Sequence, residues 1–133
     1  MTIDWNQRIS AAARKEKRQA QLLRGLAQQR KAAEAEGVTI NGVRYAGDPG
    51  NRQALQEAMD LAHEQGLTRF ESWKSSDEVF IDDHPVADVH AALLAIAARR
   101  SALIALEGRY AQDVVSGVFT DLDNLSWDAS PHY

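Results

Sequence analysis

The residues best suited to chemistry in this 133-residue chain gather in one stretch, Asp77, Glu78, Asp82, Asp83 and His84, with His90 just downstream. Carboxylates beside imidazoles could act as general acid and base or hold a divalent cation. Two histidines chelate from one helix when they stand at i and i+4, whereas His84 and His90 are six residues apart and point to different sides. Carboxylates ahead of a helix serve more commonly as caps and dipole partners, the role expected here for Asp82 and Asp83. Asp121, Asp123, Asn124 and Asp128 suggest a calcium loop but lack its middle ligand, the Gly of its sharp turn and its closing Glu, so a solvated acidic loop is expected. His63 falls near the end of a helix, where a partly charged imidazole suits the negative pole. The chain has no Cys, which excludes thiolate catalysis, disulfides and Cys-ligated zinc. No phosphate-binding loop, dinucleotide fingerprint or nucleophile elbow occurs. The expectation is therefore a protein that is not an enzyme and takes no metal or cofactor.

The large aromatics point to contact instead of catalysis. Trp73 shares a strand pattern with Phe70 and is expected in the core, while Trp5 either anchors in a partner's pocket or packs on its own body. Residues 4–36 contain no Pro, one Gly, and many Ala, Gln, Lys, Arg and Glu, which predicts one long helix. Its apolar positions, Ile9, Leu22, Leu23 and Leu26 among many alanines, form a thin stripe that calls for a partner helix or partner chain. Gly37 ends it. In the following Val38-Thr39-Ile40-Asn41-Gly42-Val43-Arg44-Tyr45, Asn41-Gly42 is the preferred pair for a two-residue type I′ turn, with Ile40 facing Val43 and Val38 facing Tyr45.

A turn at Asp48-Pro49-Gly50-Asn51 opens a short amphipathic helix carrying Leu55, Ala58, Met59 and Ala62 and closed by Gly66. Residues 68–74 and 78–82 read as two strands joined by Ser75-Ser76-Asp77. Pro85 then starts a long helix whose buried side carries Val86, Val89, Leu93, Ile96, Leu103, Ile104 and Tyr110, with Gly108 as a kink or stop. The predicted fold class is α+β: long N-terminal helix, β-hairpin, short helix, second hairpin, long C-terminal helix, with a small antiparallel sheet packed on the helices. Three parts follow: a helical arm at 1–36 for oligomerisation or partner docking, a compact domain at 37–120 and an acidic tail at 121–133. Asn41, Gly42, Tyr45, Trp73 and Phe80 are assigned to the framework. Trp5, Ile9, Leu22, Leu23 and Leu26 are assigned to partner binding.

The charge is divided unevenly, +4 over residues 1–36 and −8 over the rest, so the two parts can attract each other within a chain or between copies. No aromatic interleaves the basic residues and no recognition motif follows them, which disfavours nucleic acid as a partner. With 44% apolar and 26% charged residues the composition is that of an ordinary globular chain. Met1-Thr2-Ile3-Asp4-Trp5 lacks the apolar run of a secretion signal, and no stretch reads as bilayer-spanning, so synthesis in the cytoplasm without membrane insertion is expected, with retention there unless the chain leaves inside a larger assembly.

The order of features resembles an uncharacterised domain of bacteriophage and prophage tail proteins, often carried by tail-fibre assembly proteins. The residues that carry the resemblance are Glu36-Gly37-Val38-Thr39-Ile40-Asn41-Gly42-Val43, Asp48, Arg52-Gln53-Ala54, Ser72-Trp73-Lys74 with Asp77 and Val79-Phe80, and His90-Ala91-Ala92, over roughly residues 25–110, together with the opening Ile3-Asp4-Trp5. Glu78 stands where such proteins usually have Gly, which predicts a wider second turn. The longer N-terminal region of the two-part assembly proteins has no counterpart here. The resemblance implies a virion protein of the tail, tail fibre or baseplate, made in the host cytoplasm and bound to other tail or fibre proteins. A homo-oligomer is also implied, a trimer being common in fibres, although no sustained heptad specifies one. The alternatives are a tail-fibre assembly chaperone and a small phage regulator that binds a host protein.

Overall fold

The computed structural model describes residues 5–128; the side chains of residues 5–7 and 9 lie outside that description, and with them the partner-binding assignments of Trp5 and Ile9. The elements are α1 (Trp5–Glu36), β1 (Val38–Ile40), β2 (Val43–Tyr45), α2 (Pro49–Gln65), β3 (Arg69–Lys74), β4 (Phe80–Pro85) and α3 (Val86–Val115). The α+β layout is as expected, with two separate two-stranded antiparallel sheets, β1-β2 and β3-β4.

Local chemistry explains the first half. Gly37, at φ 74°, ends α1 in the left-handed conformation and donates its N–H to the Glu34 carbonyl. Asn41 and Gly42, at φ 50° and 81°, turn the first hairpin into the register Val38↔Tyr45, Thr39↔Arg44, Ile40↔Val43. The Asp48 carboxylate caps α2 by accepting from the Asn51 N–H at 3.1 Å, Pro49 occupies the first turn, and Gly66 closes the helix at φ 65°.

The second hairpin departs from expectation. Its strand β4 runs through Asp82, Asp83 and His84 to Pro85, pairing Ser72 with Asp82 and Phe70 with His84. Asp82 and Asp83 are therefore strand residues and not helix caps. α3 begins at Val86 without a side-chain cap, its first N–H bonding to the Thr68 carbonyl at 3.0 Å. The turn is organised by buried Ser75, whose hydroxyl accepts from the Asp77 and Val79 N–H groups. Glu78 takes φ 64° there, a left-handed conformation that Gly adopts without the steric cost of a Cβ. Glu78→Gly is expected to stabilise the fold by about 1 kcal/mol, measured by denaturant titration, because it relieves that conformation and removes an ion pair to Lys74 that is exposed and therefore weak.

One core joins these pieces: buried Tyr45, Leu55, Val89, Ala92 and Ile96, with Val38, Ile40, Val43, Met59, Phe70, Trp73 and Leu93 packed around them. Phe80, assigned to the framework, is 70% exposed and lies under the Lys74 ammonium instead of in the core. α3 continues through Gly108 without a stop, and Ile104 faces outward. By length and composition α3 is long and apolar enough to cross a membrane, contrary to the reading of the sequence. It packs here against α1, α2, β1 and β4.

Candidate interaction surfaces and the seam that positions them

The second half of α1 lies antiparallel on the second half of α3. Gln19 reaches the Val115 carbonyl at one end, and Arg99 reaches the Ala33 carbonyl at 3.0 Å at the other. Leu26 and Ala33 of α1 and Leu103 and Val114 of α3 are buried in this part of the molecule. Burial of each leucine contributes on the order of 2 kcal/mol. The partner demanded by the thin stripe of α1 is thus, for this half, a helix of the same chain. Leu26 is completely buried and is removed from the partner-binding set; Leu22 and Leu23 are half-buried at the margin of the seam.

Ion pairs fix the register of the two helices. Glu34 is 6% exposed and pairs with Arg30, which also binds Glu107, while Arg100 approaches Glu34 at 3.6 Å. Burial alone would lower the Arg30 pKa, but its hydrogen bonds to Glu107 and Glu34 outweigh this and raise it. The chain beyond α3 then folds back over α1. Arg18 donates to the Thr120 carbonyl at 2.9 Å, and the Trp127 indole N–H donates to Gln29 at 2.8 Å with its ring edge-on to Tyr110. Gly25 makes room for this return: a Cβ there would stand 2.7 Å from Leu122 Cδ1. The acidic loop has its own local role, since Asp121 accepts from the Asp123 N–H.

Ahead of Arg18, α1 outruns the layer that covers it. Arg8 and residues 10–17 are exposed, with Arg14, Lys15 and Lys17 set against Glu16 alone in that run. From Trp5 to Lys17 such a helix extends about 20 Å.

The acidic and imidazole candidates are dispersed. His84 is 2% exposed, hydrogen-bonded to the Tyr45 hydroxyl and stacked on Trp73 at 5.4 Å between ring centroids. Asp77 binds Arg44 at 2.8 Å, and His90 is exposed on α3. Among the described residues no group of three or more His, Asp or Glu could hold a metal ion. Burial lowers the His84 pKa, against the opposing charge of Asp88. Burial, aided by Asp88, raises the Tyr45 pKa from 10.0 to about 12.

The pair sets opposite limits on stability. His84 binds its proton less readily when folded, so its contribution is present above its unfolded pKa near 6.5 and is lost as pH falls below it. The contribution of Tyr45 is full below pH 10.0 and declines by about 3 kcal/mol as pH rises to about 12. The unfolding free energy, from denaturant titration across a pH series, is expected to show a plateau between these limits. Tyr45→Phe should abolish the alkaline decline and, by stranding His84, lower the plateau by about 1–3 kcal/mol.

Signals for the missed features were faint. The Arg30 and Glu34 spacing of four announces a helix pair but not its burial, and a lone Gly inside α1 was the one sign that another segment crosses it.

A family model described as a domain of unknown function (DUF4376) matches residues 16–129. No curated protein and no solved structure matches the chain.

Proposed function

From the premise that the chain belongs to the DUF4376 family, we propose that it is a structural component of a bacteriophage tail, tail fibre or baseplate. It acts through protein contacts made by the exposed first part of α1, Arg8 and residues 10–17. The observation that carries this reading is the helix that continues, basic and exposed, past the layer that packs on its second half. An isolated helical stretch of that length is marginal in water, and a partner surface gives it a reason to persist. The basic run would suit an acidic surface on another chain. The assignment to a tail comes from the resemblance of the hairpin and strand motifs to phage tail proteins.

The test is to purify particles from a phage or prophage that encodes the chain and to identify their proteins by mass spectrometry. The chain is expected in the particles at a fixed ratio to a tail protein. Its recovery only from unassembled lysate, bound to a fibre protein, would overturn this reading in favour of the assembly chaperone.

A further inference from the structure

A second surface, remote from the arm, has a composition that suits a copy of itself. Between α2 and α3 two hollows of about 320 and 440 Å³ share Leu93 and Ala97 and form one groove. Arg52 and Arg100 line one end, beside Ile104; Asp60 lines the other, beside Leu94. Two exposed apolar side chains line it, Leu94 at 61% and Ile104 at 41%. Leu94 and Ile104 stand on either side of small, exposed Ala97, which allows another helix to approach closely.

One charge at each end, Arg52 and Asp60, lacks an ion-pair partner among the described residues. Arg52 is half-buried and makes no ion pair among the described residues, and its Nε is buried with no hydrogen-bond partner among them. A half-buried guanidinium without an acceptor carries an uncompensated cost that an added carboxylate would relieve. Asp60 accepts one hydrogen bond, from Gln56 at 3.0 Å, and is exposed together with Glu57 and Glu64 on the same helix.

The geometry points to an isologous dimer in which α2 of one copy crosses α2 of the other in antiparallel fashion at Gln56. Arg52 and Asp60 stand four residues to either side of Gln56, about 6 Å along the helix in each direction. A two-fold axis there sets each Arg52 beside Asp60 of the second copy, satisfying two charge pairs at once, and brings the Leu94 end of one groove over the Ile104 end of the other. A second copy presents a carboxylate to the basic end and a guanidinium to the acidic end at once. The inference is independent of the assignment to a phage tail.

The full chain, with a monomer mass of 14.7 kDa, is measured by sedimentation equilibrium across a concentration series. A monomer–dimer equilibrium is expected, weakened about a hundredfold by Arg52→Glu or by Asp60→Arg, each judged folded by circular dichroism. The double variant Arg52→Glu with Asp60→Arg restores the opposite pairing and should recover dimerisation to within about threefold of the original. A monomer at the highest attainable concentration, a trimer, or a dimer indifferent to both charge reversals would overturn the proposal. So would a double variant no better than the single ones.

Discussion

Gly37→Ala is expected to lower stability by about 4 kcal/mol, the largest effect of any Gly→Ala change in this chain. Two costs combine. Gly37 holds φ 74°, where a residue with a Cβ loses about 1–2 kcal/mol. The added Cβ would also stand 1.8 Å from the Tyr45 carbonyl oxygen, a backbone atom that cannot swing aside as a side chain would. The end of α1 and strand β2 must therefore separate, at about 1–3 kcal/mol more. Tyr45 is among the largest fully buried side chains, so that displacement reaches the centre of the core. Thermal unfolding followed by circular dichroism should show the melting temperature reduced by about 15 °C. A reduction of only a few degrees would mean that helix and hairpin are not held as tightly together as described.

Glu34→Ala is expected to cost about 3–5 kcal/mol, and Glu36→Ala almost nothing. Both glutamates pair with arginines across or along the same seam, so a count of ion pairs would rank them together. Glu34 is 6% exposed and is approached by both Arg30 and Arg100, whereas the Glu36 side chain is 78% exposed and 3.6 Å from Arg99. Removing the buried carboxylate leaves Arg30, itself 12% exposed, with Glu107 as its one remaining carboxylate and leaves Arg100 with none among the described residues. The exposed pair is screened by water and contributes roughly 0–1 kcal/mol. Urea titration of the two variants side by side separates these cases. Equal losses would contradict the burial assigned to Glu34.

Features encoded within a few residues of one another could be read from the sequence. Asn41-Gly42 demanded positive φ at two successive positions, which fixed both the turn and the register of the first hairpin. Asp48, Pro49 and Gly66 marked α2 at both ends. Features that depend on distant pairing could not be read this way. Asp82-Asp83-His84-Pro85 carries the signals of a helix start, yet β4 extends through it because Phe70 and Trp73 supply a strand for His84 and Ile81 to pair with. Phe80 fits a core pattern by residue type but lies opposite exposed Lys74.

The same limit applies to the candidate contact surface. The apolar stripe of α1 was legible, but its division was not. Leu26 and Ala33 are covered by elements far along the chain, and Arg18 and Gln29 donate hydrogen bonds to the returning segment at Thr120 and Leu122. Sequence alone therefore placed the arm's boundary at residue 36. Removing residues 1–36 would take Leu26, Ala33 and Glu34 out of the folded body, and the arm proper ends before Arg18.

Deleting residues 1–17, and measuring incorporation of the shortened chain into particles in place of the full one, tests the proposed function most directly. The shortened chain should melt within a few degrees of the full chain, since every residue removed ahead of the seam is exposed among those described, and it should be absent from the particles. A shortened chain that is folded and incorporated at the full-length ratio would contradict the account.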